Sequence, residues 1–144
     1  MVFFLWTAAL DHILTLDNLM LRGCPLANRC CMCCYSWECV DHLLIHCPVV
    51  YSLLVLMLQA FDIQWVLPSS VDRLLFCWSY WLRKHNSDIW NLILGCLMWT
   101  IWLECNRCFF EDSEKTLVEL KDLCQHRLFD WSRCWGFTDC SSLL

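Results

Sequence analysis

Two residue types with strong affinity for soft metal ions, cysteine and histidine, recur in one short stretch of the chain, NRCCMCCYSWECVDHLLIHC, as Cys30-x2-Cys33-x8-His42-x4-Cys47. A Cys-x2-Cys turn presents two thiolates to one ion from a single loop, and a later imidazole and thiolate can close a tetrahedral shell. The spacing therefore predicts one structural zinc ion held by Cys30, Cys33, His42 and Cys47. Four protein ligands leave no coordination position for water, so such a zinc organises backbone and does no chemistry. The cluster is redundant: Cys31-x2-Cys34 has the same spacing, Cys39 lies inside the loop, and His46 falls one helical turn after His42. Cys31, Cys34, Cys39 and His46 thus stay open as alternative ligands.

Other chemistries find less support. A thioredoxin-like dithiol sits between a strand and a helix in a βαβ unit, and no such context surrounds these cysteines. No cysteine lies in a local signature that would make it a nucleophile with His12, His85 or His126, and neither a GxGxxG nor a GxxxxGK loop occurs among only three glycines. Glu111, Asp112 and Glu114 precede a predicted helix, where negative charge complements the helix dipole. The chain reads as a non-enzyme without a small-molecule substrate.

Composition bounds the setting. With 144 residues, 59% of them hydrophobic, and ten tryptophans, the chain has material for one domain spanning residues 1–144, with residues 135–144 expected to fray. Fourteen cysteines would suit a disulfide scaffold in a secreted chain. The opening MVFFLWTAALDHIL, however, has no basic n-region and meets Asp11 early, so reduced thiols and an intracellular location are expected. Residues 42–61 contain no Asp, Glu, Lys or Arg, and residues 89–103 are nearly all apolar; the first holds two proposed ligands and Pro48, the second is short for a bilayer. Both read as core helices, with no membrane partner. Net charge is −5, and Arg83-Lys84 is the only adjacent basic pair, so any phosphate contact from that segment alone is expected to be weak and local; Arg83, Lys84 and Arg107 read as a solvated face rather than as phosphate contacts. Trp90, Trp99 and Trp102 read as core rather than as a base-stacking platform.

The elements that must position the ligands are helical. Apolar residues at Phe3, Phe4, Trp6, Ala9, Leu10, Ile13 and Leu14 give a first helical stripe; Thr15 can cap a second helix over Leu16–Leu21, which Gly23 ends. His42 and Cys47 are five residues apart, about 140° past a full turn, so no continuous α-helix puts both on one face. Pro48 resolves this by expelling Cys47 from helical geometry and starting a helix through Val49, Val50, Leu53, Leu54, Met57 and Phe61. After a loop over 62–70, Ser69 or Ser70 can cap a helix over 71–82, and a polar break at 84–87 precedes the longest helix, 89–109. Thr116-x2-Glu119 has capping-box spacing, followed by the stripe Leu117, Leu120, Cys124, Leu128 and Trp131. Strand signals are poor apart from a short hairpin at the knuckle. The expected fold is mainly α: a small helical domain with a zinc knuckle between short N-terminal helices and longer C-terminal ones.

These segments together resemble the zinc-binding domain of plant LINE-type (non-LTR) retrotransposon reverse transcriptases. The resemblance is carried by FFLWTAALDHILTLDNLMLRG, by Cys30-x2-Cys33 with Glu38-x3-His42-Leu43 and Cys47-Pro48, and by Trp99-x2-Trp102-x-Glu104-x-Asn106-Arg107 with Phe110-Glu111-Asp112. It covers roughly residues 3–131. It implies a non-catalytic, zinc-binding appendage that helps its parent polymerase hold RNA or DNA, acting in the nucleus, with the Tyr-x-Asp-Asp polymerase domain upstream. One departure stands out: where the family's closing helix presents basic residues on either side of the Glu, this chain has Leu103 and Cys105. A protein-protein interaction module on the same zinc core, and a decayed fragment, are the alternatives.

Overall fold

The computed structural model describes residues 2–60, 62–85, 88–111 and 114–134, with side chains described for these except 2 and 79–91. Six α-helices and one π-helical turn follow one another, and no strand occurs among the described residues: α1 (Val2–Ala9), α2 (Leu16–Leu21), the π turn (His42–His46), α3 (Pro48–Ala60), α4 (Val71–His85), α5 (Asp88–Glu111) and α6 (Leu117–Cys134). The mainly α expectation holds. The frayed tail expected at 135–144 lies outside the described residues, as do the side chains of Arg83, Lys84, His85 and Trp90.

Helix α5 is the central post. It packs against α6, the π turn, α1 and α4, while α3 rests on α6 and on the π turn. Leu92 through Met98 and Ile101 are buried, so α5 is apolar around most of its circumference, as a helix covered on several sides must be. Its segment Leu92–Glu111 is long and apolar enough to cross a membrane, yet 61% of the most apolar window is buried against the other helices. α6 contributes the predicted stripe: Leu120, Cys124 and Leu128 are buried, with Leu117 and Trp131 packed on the same core. Cys96 and Cys124 sit within this interface, where burial pushes their thiols up to about 12 and about 11. They serve as small hydrophobes, inert as nucleophiles.

Helix ends follow local chemistry closely. Gly23, at φ +87°, ends α2, its N–H bonding Met20 O while Cys24 N–H reaches back to Leu19 O. This pair of bonds is the Schellman arrangement. Asp11 (φ 59°) and Asp62 (φ 55°) close α1 and α3 in the same way, with His12 N–H on Thr7 O and Ile63 N–H on Leu58 O. Asp enters the left-handed region more easily than most non-glycine residues. The predicted capping box is present: Thr116 N–H donates to Glu119 Oε2 (2.7 Å) and Glu119 N–H to Thr116 Oγ1 (3.3 Å).

Three local expectations change. Phe3, Trp6 and Leu10, placed on one apolar stripe with Phe4 from sequence, instead face solvent, whereas Phe4 and Ala8 are buried. The Schellman turn at Asp11 ends the helix early and redirects the chain so that Ile13 returns to the core. The knuckle hairpin is replaced by a side chain: Asn28 Oδ1 accepts from Glu38 N–H (2.7 Å) and Asn28 Nδ2 donates to Glu38 O (3.1 Å), doing what a paired strand would do. Thr15 does not cap α2 with its hydroxyl, which instead donates to Asp17 Oδ1. One N–H at the start of α2 and one at the start of α4 go to carboxylates distant in sequence.

Candidate metal centre

Those carboxylates belong to the knuckle. Glu38 Oε1 accepts from Leu16 N–H at the start of α2 (3.1 Å), and Asp41 Oδ1 accepts from Val71 N–H at the start of α4 (2.8 Å). Helix N-termini favour negative charge, so the segment leading into His42 is clamped to two helices at once. Sequence reading missed both caps because the acceptors lie 22 and 30 residues from their donors. The available signal was weak: two acidic residues three apart in a loop otherwise rich in apolar side chains.

The loop turns at residues 31–33, with Cys34 N–H on Cys30 O (2.8 Å) and Cys30 N–H on Ser36 O (2.8 Å). Cys34 occupies the left-handed region at φ 62°, a conformation that costs a Cβ-bearing residue roughly 1 kcal/mol. Cys34→Gly is therefore expected to stabilise the domain by about 0.5–1 kcal/mol without loss of metal, read as a raised urea midpoint at unchanged slope. A lowered midpoint would show that the weak contact of Cys34 Sγ with Glu114 outweighs the backbone strain.

On the other side, the chain passes through Leu43, Leu44 and Ile45, all fully buried, in a π turn rather than an α turn. Cys47 N–H bonds His42 O at 2.6 Å, an i to i+5 closure that swallows the angular excess between the two ligands. Cys47 itself leaves helical geometry (φ −57°, ψ 126°) ahead of Pro48, as the proline requires. The widened turn and the proline act together.

The result is a convergent Cys3His group. The ligand atoms of Cys30, Cys33, His42 and Cys47 all lie within 4.8 Å of one another. Cys30 Sγ and Cys47 Sγ are 4.0 Å apart, and Cys33 Sγ and His42 Nε2 are 3.5 Å apart. With zinc–sulfur bonds near 2.3 Å and zinc–nitrogen bonds near 2.05 Å, a tetrahedron has edges of about 3.8 and about 3.6 Å. The four groups therefore fit one zinc ion with only small side-chain adjustments. Cys30 and Cys47 are fully buried, while Cys33 and His42 form the half-buried outer side.

Electrostatics prepares the same set. The Cys30 thiol donates to Cys47, which lowers the Cys47 pKa against the opposing effect of burial; the same bond and burial both raise that of Cys30. Burial, helped by His46, lowers the pKa of His42, keeping its imidazole neutral as a ligand must be. The sign for stability follows. Between the depressed folded value and the ordinary 6.5, the unfolded chain binds more protons at His42, so its contribution is complete above about pH 6.5 and declines as pH falls through that window. Bound zinc adds to the same trend, because a protonated imidazole has no lone pair to give. Urea midpoints at pH 7.5 and pH 5.5 should therefore differ more in the wild type than in His42→Gln; equal differences would contradict this assignment.

The alternative ligands point elsewhere. Cys31 faces α5, Cys34 faces Glu114, and Cys39 Sγ accepts from His42 N–H (3.4 Å), so it orients the histidine backbone. His46 is exposed, with Nε2 2.9 Å from Ser69 O. Trp99, Trp102 and Arg107 are occupied by structure. Trp99 and Trp102 pack with Phe4, at ring separations of 5.1 and 5.4 Å, supporting the core reading. Arg107 pairs with buried Glu104 and with Glu111 (3.6 Å), and Lys115 also reaches Glu104 (3.4 Å). Arg107, expected on a solvated face, is thus held to its own helix by two carboxylates. Burial alone would raise the Glu104 pKa, but the two cations more than reverse it.

Comparison with curated proteins and with solved structures returned no match. Residues 1–53, which span α1, α2, the knuckle, the π turn and the first part of α3, match the family model described as zinc-binding in reverse transcriptase, and they include every member of the Cys3His group.

Proposed function

We propose that this chain is the zinc-stabilised, non-catalytic appendage of a LINE-type retrotransposon reverse transcriptase of plant origin, with Cys30, Cys33, His42 and Cys47 as the ligands of one structural zinc. The convergence of these four groups inside the segment that matches the reverse transcriptase family carries the reading. Zinc would lock the knuckle to α3 through Cys47, and the caps from Glu38 and Asp41 would pass that order to α2 and α4. In this role the domain assists an upstream polymerase domain in holding RNA or DNA, in the nucleus. Binding of a structured RNA and of a DNA duplex to the zinc-loaded chain, titrated across salt, is the test. Affinity that falls steeply as salt rises supports phosphate contact; salt-insensitive or absent binding to both rejects it.

A second reading, an interaction module built on the same zinc core, is favoured by the surface. Phe3, Trp6, Leu21, Trp37 and Phe110 are exposed, and the cation of the closing helix, Arg107, is already paired with carboxylates. Exposed aromatic and aliphatic side chains of this kind suit a protein partner better than a phosphate backbone.

A further inference from the structure

Beside the Cys3His group lies a second convergence that no sequence spacing announces. Cys31 Sγ, on the knuckle, is 2.9 Å from Cys105 Sγ, on α5. Glu38 Oε2 lies 3.4 Å from Cys105 Sγ and 3.8 Å from Cys31 Sγ. Glu38 is 2% exposed, and none of the ion pairs among the described residues involves it. Its Oε1 is satisfied by Leu16 N–H, whereas among the described residues Oε2 has only these two weak thiol donors. A buried carboxylate oxygen with two thiols beside it and, among the described residues, no ion-pair partner is a donor set that a soft divalent ion would complete.

We propose that Cys31, Glu38 and Cys105 form a second metal site, for a thiophilic divalent cation such as Zn2+, that bolts the knuckle to helix α5. The distances suit this chemistry. A tetrahedral zinc with one carboxylate oxygen near 2.1 Å and sulfur near 2.3 Å has sulfur–oxygen edges of about 3.6 Å, between the two observed. The sulfur–sulfur edge would be about 3.8 Å, so the thiols must part by roughly 0.9 Å. Binding releases the two thiol protons and leaves two thiolates and one carboxylate around the dication, a net charge of −1 spread over three ligands. A cavity of about 140 Å³ opens on two of the three, Glu38 and Cys105, and is bounded also by Leu14, Leu16, Leu19 and Phe109. It offers an entry path for the ion and room for a water as fourth ligand. A Cys31–Cys105 disulfide is the competing product of this juxtaposition, but oxidation would strip Glu38 Oε2 of both its thiol donors.

The test is metal stoichiometry on the full chain, reduced, stripped and reloaded with 113Cd2+ alone. Two equivalents and two separate 113Cd resonances are expected, because three thiolates with an imidazole and two thiolates with oxygen donors shield the nucleus differently. Cys105→Ser should remove the second equivalent and its resonance and leave the first. Glu38→Gln, which keeps an acceptor for Leu16 N–H, should do the same if the serine variant fails to fold. Cys47→Ser reports the other site, so failure of the two assignments can be told apart. One equivalent in the wild type, a second equivalent that survives both Cys105→Ser and Glu38→Gln, or a Cys31–Cys105 disulfide in fully loaded protein would each overturn the proposal.

Discussion

Stripping zinc with a chelator under reducing conditions is expected to unfold the N-terminal half of the chain, and His42→Ala or Cys47→Ser should have the same effect in the presence of the metal. The magnitude is large because the four proposed ligands come from two segments, the turn at Cys30–Cys33 and the π turn at His42–Cys47, that one ion would tie together. Binding free energy for such sites is about 10 kcal/mol or more and appears as folding free energy. That exceeds most of the stability of an ordinary small domain. The knuckle carries the N-terminal caps of α2 and α4, so helical signal beyond residues 30–47 should fall with it. Far-ultraviolet circular dichroism during chelation and on return of one equivalent of zinc gives the readout. Cys39→Ser is the matched control: its hydroxyl can accept from His42 N–H as the thiol does, and zinc should stay bound. A chelated protein with an unchanged, cooperative unfolding midpoint would remove zinc from the account of the fold.

Leu43→Ala should produce the second largest effect, at a residue that touches no metal. Leu43 is fully buried in the π turn between the two C-terminal ligands. Truncating a buried leucine costs about 2–5 kcal/mol, through lost transfer free energy and the cavity left behind. Where folding and zinc binding are coupled, that cost is read as affinity, so the zinc dissociation constant should rise by about 30-fold to about 5,000-fold. Competition with a chelator of known affinity measures it. Leu128→Ala, equally buried but on α6 and outside the matched segment, should lower thermal stability with a smaller change in zinc affinity. Equal affinity losses in the two variants would mean that the whole helical bundle, and not the π turn in particular, sets the site.

Cys105 is where α5 meets the knuckle: its thiol faces both the buried Glu38 carboxylate and the Cys31 thiol. The two thiols give Glu38 Oε2 only weak hydrogen bonds, which is why the second metal site merits a direct test.

The spacing by itself singled out the four groups that converge, Cys30, Cys33, His42 and Cys47, as well as the mainly helical class, the stop at Gly23 and the Thr116–Glu119 capping box. Each is local: a ligand spacing, a left-handed glycine, a hydroxyl and a carboxylate three residues apart act over one turn of chain and leave a pattern that can be read. The stripe Leu120, Cys124, Leu128 was legible for the same reason, being one helical face. The tertiary structure alone decided which face of α1 is buried, since Phe3 and Phe4 are equally apolar and only the packing partner separates them. It also decided that Glu38 and Asp41 cap α2 and α4, and that a π turn rather than proline alone aligns His42 with Cys47. Cys31 and Cys105 are 74 residues apart and meet only because α5 passes beneath the knuckle. Long-range meetings of this kind depend on where whole helices dock, and docking is set by the summed burial of many side chains, which no short spacing records.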